Sequence, residues 1–494
     1  AKKNIFSTAI YFSYLELLTV YGPKDYRDFR DHLQQIDDIL VKSGIEARFI
    51  DRHISSDEKL SESHSYQFLV SLTQRALRYS ILRALTGESF RELAVRVSDS
   101  QLCQWFTHTS QIDAARPLSK STIERFEKMF SSEEIETLIH DLGRCVADKK
   151  YAKELLLREA AIKFDKVFSD TTCVKANIHF PVDWVLLRDG VRTLIKAIEL
   201  IRSHGIKLRI SEPSSFLRAM NKYCMEMTHL RKKRDSDKKR KVVLRKMKKL
   251  TATVEKHAIN YHRKLETNWQ DTDLSEAEAQ YIRQRMENVL DQLPRALKQA
   301  HERIIGGRKI KNSDKILSLY EPDIHVLLRG KANAEVEFGN ALHLVEQEDG
   351  LIIHWKFIKE QPKGDAALVK ESIERITREY GQPSSYTADR GFDSPDNRIE
   401  LEKLVIFNAI CPLSVPLLKE RLQESDFCLY QKRRGSTEGR IGIFKNAYLG
   451  APMRSKGFNN RRTRIEWCVL AHNLWKLADM ALKQKEKIED AKTA

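Results

Sequence analysis

Three short stretches of the sequence place an acidic side chain at the edge of a predicted strand or helix. They are FSDTT with Asp170, YTADRGF with Asp389, and RRGSTEGRIGIFK with Glu438. Taken singly, each acid has an ordinary explanation, because Asp before Thr or Arg-Gly is typical of a turn and most charged side chains are exposed. Two carboxylates at strand ends and one on a helix can nevertheless meet at one end of a mixed sheet. Such oxygen ligands suit Mg²⁺, with Mn²⁺ as a substitute, and two ions about 4 Å apart promote phosphodiester displacement.

Asp170 raises a question of its own, because the residues around it predict a strand. Asp is depleted in strands, and a buried carboxylate is unfavourable unless it is paired or bound to a metal. Either the stretch is a turn, or Asp170 has a cationic partner. A metal site would supply that partner.

Two cations accompany Glu438 along the chain. Lys445 lies seven residues after it and Arg434 four residues before it, so an extended helix places both near one face with Glu438. Gly435 and Gly439 weaken the prediction of one continuous helix. A carboxylate between two cations suits the binding of metal and phosphate. The alternative, intrahelical salt bridges, accounts for Arg434 with Glu438 but not for Lys445.

The net charge of the chain favours one class of binding partner. The chain has 494 residues, with 86 Lys and Arg against 69 Asp and Glu and a formal net charge of +17. So basic a chain favours a polyanion, most often nucleic acid, although a merely basic protein remains an alternative. Seven cysteines with no CxxC argue against a disulfide framework or zinc ribbon and predict a cytoplasmic location. No apolar run reaches the ~20 residues that cross a membrane, so no membrane partner is expected.

The N-terminal region, residues 1–155, is predicted to be helical. Within 86–131, three stretches place Ser three residues before Glu or Gln, the pattern of a capping box at a helix start. These stretches are SFRE (89–92), SDSQ (98–101) and STIE (121–124). Short helices at this spacing are typical of a helix-turn-helix-like DNA-binding unit or of any small helical bundle.

The second half of the chain is predicted to be α/β. Alternation over 162–180 indicates one strand, and EDG (348–350) indicates a hairpin turn. The other predicted strands lie in KILSLY, IHVLLRGK, EVEFGNALHLVEQ, GLIIHWKFIKE, SSYTADRGF and VIFNAI. Helices are predicted at about 365–380 and from Ser394-Pro395. The predicted parts are a sheet-bearing domain at 156–189 and 313–480, a helical insertion at 190–312 and a polar tail at 481–494.

The insertion contains a densely basic stretch, RKKRDSDKKRKVVLRKMKK at 231–249. Apolar residues repeat there at three- and four-residue steps and predict an amphipathic helix. They are Val243, Met247, Leu250, Val254, Ala258, Tyr261 and Leu265. We interpret the basic stretch as an arm that contacts DNA phosphates; the alternative is the solvated tip of a helical hairpin. The residues expected to bind DNA are Lys232, Lys233, Arg234, Lys238, Lys239 and Arg240.

The three acidic regions resemble those of the DDE transposases of bacterial insertion sequences. SDTTCVKANIHFPVDWVLLRDGVR resembles the first-Asp region of this family, and YTADRGFDS resembles the second. The third region of the family shows Tyr, two residues, Arg, three residues, Glu, six residues and Lys. The same spacing here gives Gln431, Arg434, Glu438 and Lys445, with Gln in place of Tyr and Tyr430 adjacent. The long insertion between the two aspartates is a second departure.

The resemblance covers roughly 85–185 and 314–480, and it implies an α/β fold with a ribonuclease-H-like mixed sheet. It implies that the three acids hold two Mg²⁺ ions and that Arg434 and Lys445 contact DNA phosphate. The implied substrates are transposon-end inverted-repeat DNA and target DNA, bound by a homodimer in the bacterial cytoplasm at the nucleoid. The implied reaction frees a 3′-hydroxyl that then attacks target DNA. Two alternatives remain: a nuclease of the same fold that does not join strands, and a DNA-binding regulator with an inactive site.

Overall fold

The structure is a computed structural model that describes residues 21–56, 65–109, 118–231, 233, 236–331 and 334–493. The N-terminal helices are α1 (Lys24–Lys42), α2 (Ile45–Ser56), α3 (Tyr66–Thr86), α4 (Phe90–Asp99), α5 (Gln101–Phe106), α6 (Lys120–Glu127), α7 (Ser132–Ala147) and α8 (Lys149–Leu156). The helices of the insertion are α9 (Asp183–Ser203), α10 (Pro213–Arg231), α11 (Asp237–Asn268) and α12 (Glu276–Ala300). The later helices are α13 (Val369–Tyr380), α14 (Pro395–Lys403), α15 (Val415–Arg421), α16 (Ser425–Ile443) and α17 (Phe458–Thr493).

The strands form one mixed sheet flanked by helices. They are β1 (Lys166–Lys175), β2 (His325–Lys331), β3 (Ala334–Gln347), β4 (Ile352–Phe357), β5 (Ser385–Ala388) and β6 (Phe407–Ile410). Their order is β2-β3-β1-β5-β6, and β4 also pairs with β3. β1 is antiparallel to β3 and parallel to β5, and β5 is parallel to β6. The predicted mixed α/β architecture is confirmed.

Strand β1 differs from its prediction in length and pattern. It spans ten residues, and both 167–169 and 172–174 are buried, so burial does not alternate along it. The reason is its position between two other strands, where both faces are covered. KILSLY (315–320) is not a strand, and that prediction was wrong. Its apolar Leu317 and Leu319 are buried in hydrophobic clusters instead.

The capping predictions were partly correct. Ser89 and Glu92 form the predicted capping box at the start of α4. The other two were wrong in position, because α5 and α6 are capped by Ser100 and Ser119, whose side chains each accept a backbone N–H three residues on. Residues 110–117 of the predicted helix-turn-helix-like unit lie outside the described residues.

Two large hydrophobic cores divide the molecule. One joins the N-terminal helices, the sheet and α17, which packs against α1, α3 and α7. Fully buried Trp467 of α17 contacts Phe130 there, with ring centroids 5.8 Å apart. The other core is built from α9 to α12, so the insertion has an interior of its own. The predicted apolar face of α11 is confirmed, with only Leu250 partly exposed. Among the described residues, no helix has the length and apolar character of a membrane span.

Candidate active site

Two aspartates lie side by side where β1 and β5 run in parallel. The last ladder pair between these strands joins Phe168 to Thr387, and two residues further along each chain come Asp170 and Asp389. The neighbouring strands therefore bring both carboxylates to equivalent positions. The side chain of Asp389 also accepts the backbone N–H of Gly391 at 2.8 Å, which caps a short 3₁₀ turn after β5.

Asp170 is partly buried within β1, and its carboxylate accepts the backbone N–H of Thr171 at 2.7 Å. Burial raises the pKa of Asp170 to about 6, and the charges of Asp389 and Glu438 add to that rise. The N–H of Thr171 and the charge of Arg434 act in the opposite direction. The structure thus places Asp389, Glu438 and Arg434 within electrostatic reach of Asp170, with carboxylates in excess.

Glu438 and Arg434 lie on α16, which runs from Ser425 to Ile443 without a break at its glycines. Arg434 Nη1 donates to Glu438 Oε1 at 2.8 Å, and 58% of the Glu438 side chain is exposed. This is the intrahelical pair that the sequence left as an alternative. Within the described residues, no three His, Cys, Asp or Glu side chains form a group that could hold a metal ion. Glu438 is paired with Arg434 instead.

Gln431 connects α16 to the ends of the parallel strands. Its Nε2 donates to the carbonyl oxygens of Ala388 at 3.1 Å and Ala409 at 2.6 Å, one in β5 and one in β6. Its Oε1 accepts from Arg434 Nε at 3.2 Å. A chain of hydrogen bonds therefore runs from the residue before Asp389 to Arg434. The sequence marked this position only as the place where Gln replaces the Tyr of the resembling family.

A second acid, Glu346 of β3, attaches the neighbouring face of α16 to the sheet. This carboxylate is buried, and its Oε1 accepts from Arg433 at 3.0 Å, Thr437 at 2.6 Å and Arg440 at 2.7 Å. The three donors follow at four- and three-residue steps and so share one helical face. Sequence analysis missed Glu346, although an acid in an apolar strand is a signal that it needs a partner.

The remaining predicted DNA-binding residues lie on other elements or outside the described residues. Lys445 lies in a π-helical turn, Phe444–Leu449, after the end of α16, so the α-helical spacing used to place it does not hold there. Lys233, Lys238 and Lys239 are exposed at the turn between α10 and α11. Arg240 is half-buried, with its guanidinium 5.9 Å from the ring centroid of Trp184. Lys232 and Arg234 lie outside the described residues.

No family model, no curated protein and no solved structure is significantly similar to this chain. The case for a function therefore depends on the residues of the site and on the sequence motifs that contain them.

Proposed function

We propose that this chain is a DDE-type DNA transposase with a ribonuclease-H-like catalytic domain. The observation that carries the proposal is that Asp389, at the end of β5, and Glu438, on α16, both lie within electrostatic reach of Asp170 on β1. Asp389 and Glu438 both raise the pKa of Asp170, as carboxylates that share a site do. The central position of β1, between parallel β5 and antiparallel β3, is compatible with the proposed fold.

The three carboxylates would hold two Mg²⁺ ions, or Mn²⁺ in their place. Their donors are all oxygens, and Asp170 is partly buried beside two like charges, an environment that a cation would stabilise. The chemistry that such ions would supply there is polarisation of the phosphodiester and stabilisation of the attacking and leaving oxygens. Asp170 is largely ionised above a pH of about 6, so it is available as a ligand near neutral pH.

The cations of the chain have separate roles in the proposal. Arg434 fixes the Glu438 side chain, and its guanidinium carries further N–H donors that suit a DNA phosphate beside the acids. Lys445 would contact phosphate further along the same DNA. The basic stretch between α10 and α11 would add sequence-independent affinity for transposon-end and target DNA, in keeping with the net charge of +17. Pairing two transposon ends would require a homodimer.

The proposal is tested on DNA that flanks the gene in its genome. Labelled fragments are incubated with the full-length protein and either Mg²⁺ or Ca²⁺, beside Asp389→Asn and a control, Asp396→Asn. Asp396 is exposed on α14 and lies seven residues from Asp389. We expect discrete cuts at the borders of an inverted repeat with Mg²⁺ only, lost in Asp389→Asn and retained in the control.

A second arm supplies pre-cut ends together with a target plasmid. Joined products would support the transposase, whereas cleavage without joining would identify a nuclease that does not transfer strands. Binding without cleavage, unchanged by Asp389→Asn, would identify a DNA-binding regulator, for which the pairing of Glu438 with Arg434 would then be the resting arrangement.

A further inference from the structure

An open pocket of about 460 Å³ lies where the chain leaves the sheet and enters the helical insertion. It is bounded by 180–184, the facing ends of α10 and α11, and 303–315. Six basic side chains line it: Arg231, Arg240, Arg303, Arg308, Lys309 and Lys315. Asp183 is the sole acid among the lining residues that the structure describes. We refer to this feature as the basic pocket.

The acids near the basic pocket do not balance its charge. Asp183 is fully engaged, because both of its carboxylate oxygens lie 2.9 Å from Arg303 Nη1 and Gln299 donates to it as well. Outside the lining, Arg308 pairs with Glu302 at 2.7 Å. Arg240 pairs with Asp237 at 3.3 Å. Among the described residues, Asp183 and these two ion-pair partners place three negative charges against the six positive charges of the lining.

The surplus cations have no acid of their own among the described residues. Lys315 donates to the neutral side chain of Asn312 at 2.7 Å, and neither Arg231 nor Lys309 has an ion pair in that part of the chain. Cations collected in one concave site repel each other and focus a positive potential there. An anion that enters removes this repulsion. Guanidinium groups favour phosphate oxygens, which they can bind through two parallel hydrogen bonds.

We infer that the basic pocket binds phosphodiester groups of a DNA strand that continues from the surface of the insertion. Its volume lies within the range of small-ligand sites, so it admits a short length of backbone. Continuity favours a polymer over a free anion, because Arg231 and Arg240 flank the turn that exposes Lys233, Lys238 and Lys239. Trp184 forms part of the wall, with Arg240 over its ring. The choice of DNA rests on the proposed function; the affinity for phosphate does not.

The test compares two variants of the full chain with equal loss of charge. Arg231→Gln/Lys309→Gln removes two of the three lining cations that have no ion pair among the described residues. Lys487→Gln/Lys492→Gln removes two exposed lysines near the end of α17. Binding of a fluorescent duplex of arbitrary sequence is measured by anisotropy over a range of salt concentrations, in EDTA. Thermal unfolding of each variant checks the fold, and Arg308→Gln/Lys315→Gln replaces the first pair if that variant does not fold.

We expect the pocket variant to lower the salt slope of log K by about 2, since each phosphate contact contributes about 0.9. Its affinity at 0.1 M salt should fall at least tenfold, while the control variant stays within twofold of the wild type. Equal slopes in the two variants would overturn the inference. Pyrophosphate and a mononucleotide, added at constant ionic strength, form a competing arm. If they bind in a pocket-dependent way while DNA affinity is unchanged, the pocket serves a free phosphate compound and the DNA assignment is wrong.

The same proteins separate this inference from the proposed function. Asp389→Asn should bind DNA with the wild-type salt slope although it does not cleave. If Mg²⁺-dependent cleavage is observed but the two charge variants have the same salt slope of DNA binding, only the inference about the pocket is contradicted. If the salt slope depends on the pocket residues but the protein never cleaves DNA, the inference about the pocket is supported and the transposase proposal is contradicted.

Discussion

Glu346 of β3 and Glu438 of α16 both form ion pairs with arginines of α16, but in opposite surroundings. Glu346 is buried and accepts hydrogen bonds from three side chains on one face of the helix. Glu438, on the neighbouring face, is 58% exposed and is paired with Arg434. One face of α16 thus holds the helix against the sheet, and the other leaves a carboxylate accessible beside the two aspartates. The same ionised group serves attachment where it is surrounded by donors and, in the proposed function, would serve chemistry where it is not.

Glu346→Ala is expected to have the largest effect on stability and is therefore the strongest test of the contrast between Glu346 and Glu438. The change leaves Arg433 and Arg440 without their carboxylate at a largely buried interface, and breaking a buried ion pair in this way costs about 3–5 kcal/mol. We expect the free energy of unfolding in urea to fall by about 3 kcal/mol, because both arginines keep some contact with water. The control is Glu348→Ala, an exposed acid two residues along the chain that pairs with Lys166. Its expected loss is below about 1 kcal/mol. Equal losses in the two variants would refute the attachment role.

Asp170→Asn should increase stability, whereas Glu346→Ala decreases it. The ionised carboxylate of Asp170 is disfavoured because it is partly buried beside two like charges. Its pKa of about 6 in the folded protein lies above the ordinary value of 3.8, so the folded state binds the proton more tightly. The wild type therefore loses stability as the pH rises from about 4 to 6, and the loss is complete above that window. A pKa raised from 3.8 to about 6 corresponds to a loss of about 3 kcal/mol at most.

The measurement is urea unfolding of wild type and Asp170→Asn at several pH values without divalent cations. We expect equal stability near pH 4 and a more stable variant above pH 6. Addition of Mg²⁺ should stabilise the wild type more than the variant and so narrow the gap. Parallel pH profiles for the two proteins would mean that Asp170 is not disfavoured by its surroundings.

The elements that were predicted correctly from the sequence are determined by residues close together in the chain. Strands β3 and β4 were recognisable as apolar runs, because consecutive residues in them are buried on both faces of the sheet. Helix α11 was recognisable from apolar residues at three- and four-residue steps, which form one buried face. The start of α14 was predictable from Ser394 and Pro395, since an N-cap hydroxyl and a proline in the first turn act within three residues. The caps of α5 and α6 were misplaced because a second serine, Ser98 or Ser121, lies two residues from each N-cap, and the pattern alone does not choose between the two.

The contacts that fix the site were beyond sequence reasoning because they join distant parts of the chain. Glu346 and Arg433 are 87 residues apart, and Gln431 lies 43 residues from Ala388. Neither pair has a periodic signal, and each depends on the angle at which α16 crosses the sheet. The three acids were singled out from their sequence motifs, which are visible without their partners. Only Asp389 lies at the end of an element as predicted, because β1 and α16 continue past Asp170 and Glu438. Glu346 was missed because its role exists only in the folded protein.

A smaller effect is expected from Gln431→Ala, which detaches α16 from the strand ends without unpairing a charge. Ala388 keeps a second donor, the backbone N–H of Cys411 at 3.0 Å, so only part of the hydrogen bonding is lost. We expect a loss of about 1 kcal/mol in urea unfolding, typical of a neutral hydrogen bond. Cleavage should slow as well, since Arg434 loses an acceptor that orients it. Lys432→Ala, exposed at the adjacent position, is the matched control. A variant that cleaves at the wild-type rate would show that Gln431 has no positioning role.

Glu438→Gln should change stability least and activity most. The amide keeps an oxygen that can accept from Arg434, and an exposed pair at four-residue spacing contributes less than about 0.5 kcal/mol. We therefore expect urea unfolding within that margin of the wild type, together with loss of Mg²⁺-dependent cleavage. Glu420→Gln, an exposed acid on α15, should leave both properties unchanged. If Glu438→Gln instead lost as much stability as Glu346→Ala, both faces of α16 would serve attachment and the contrast between the two acids would disappear. If the variant cleaved DNA normally, the chemistry would reside in the two aspartates without Glu438.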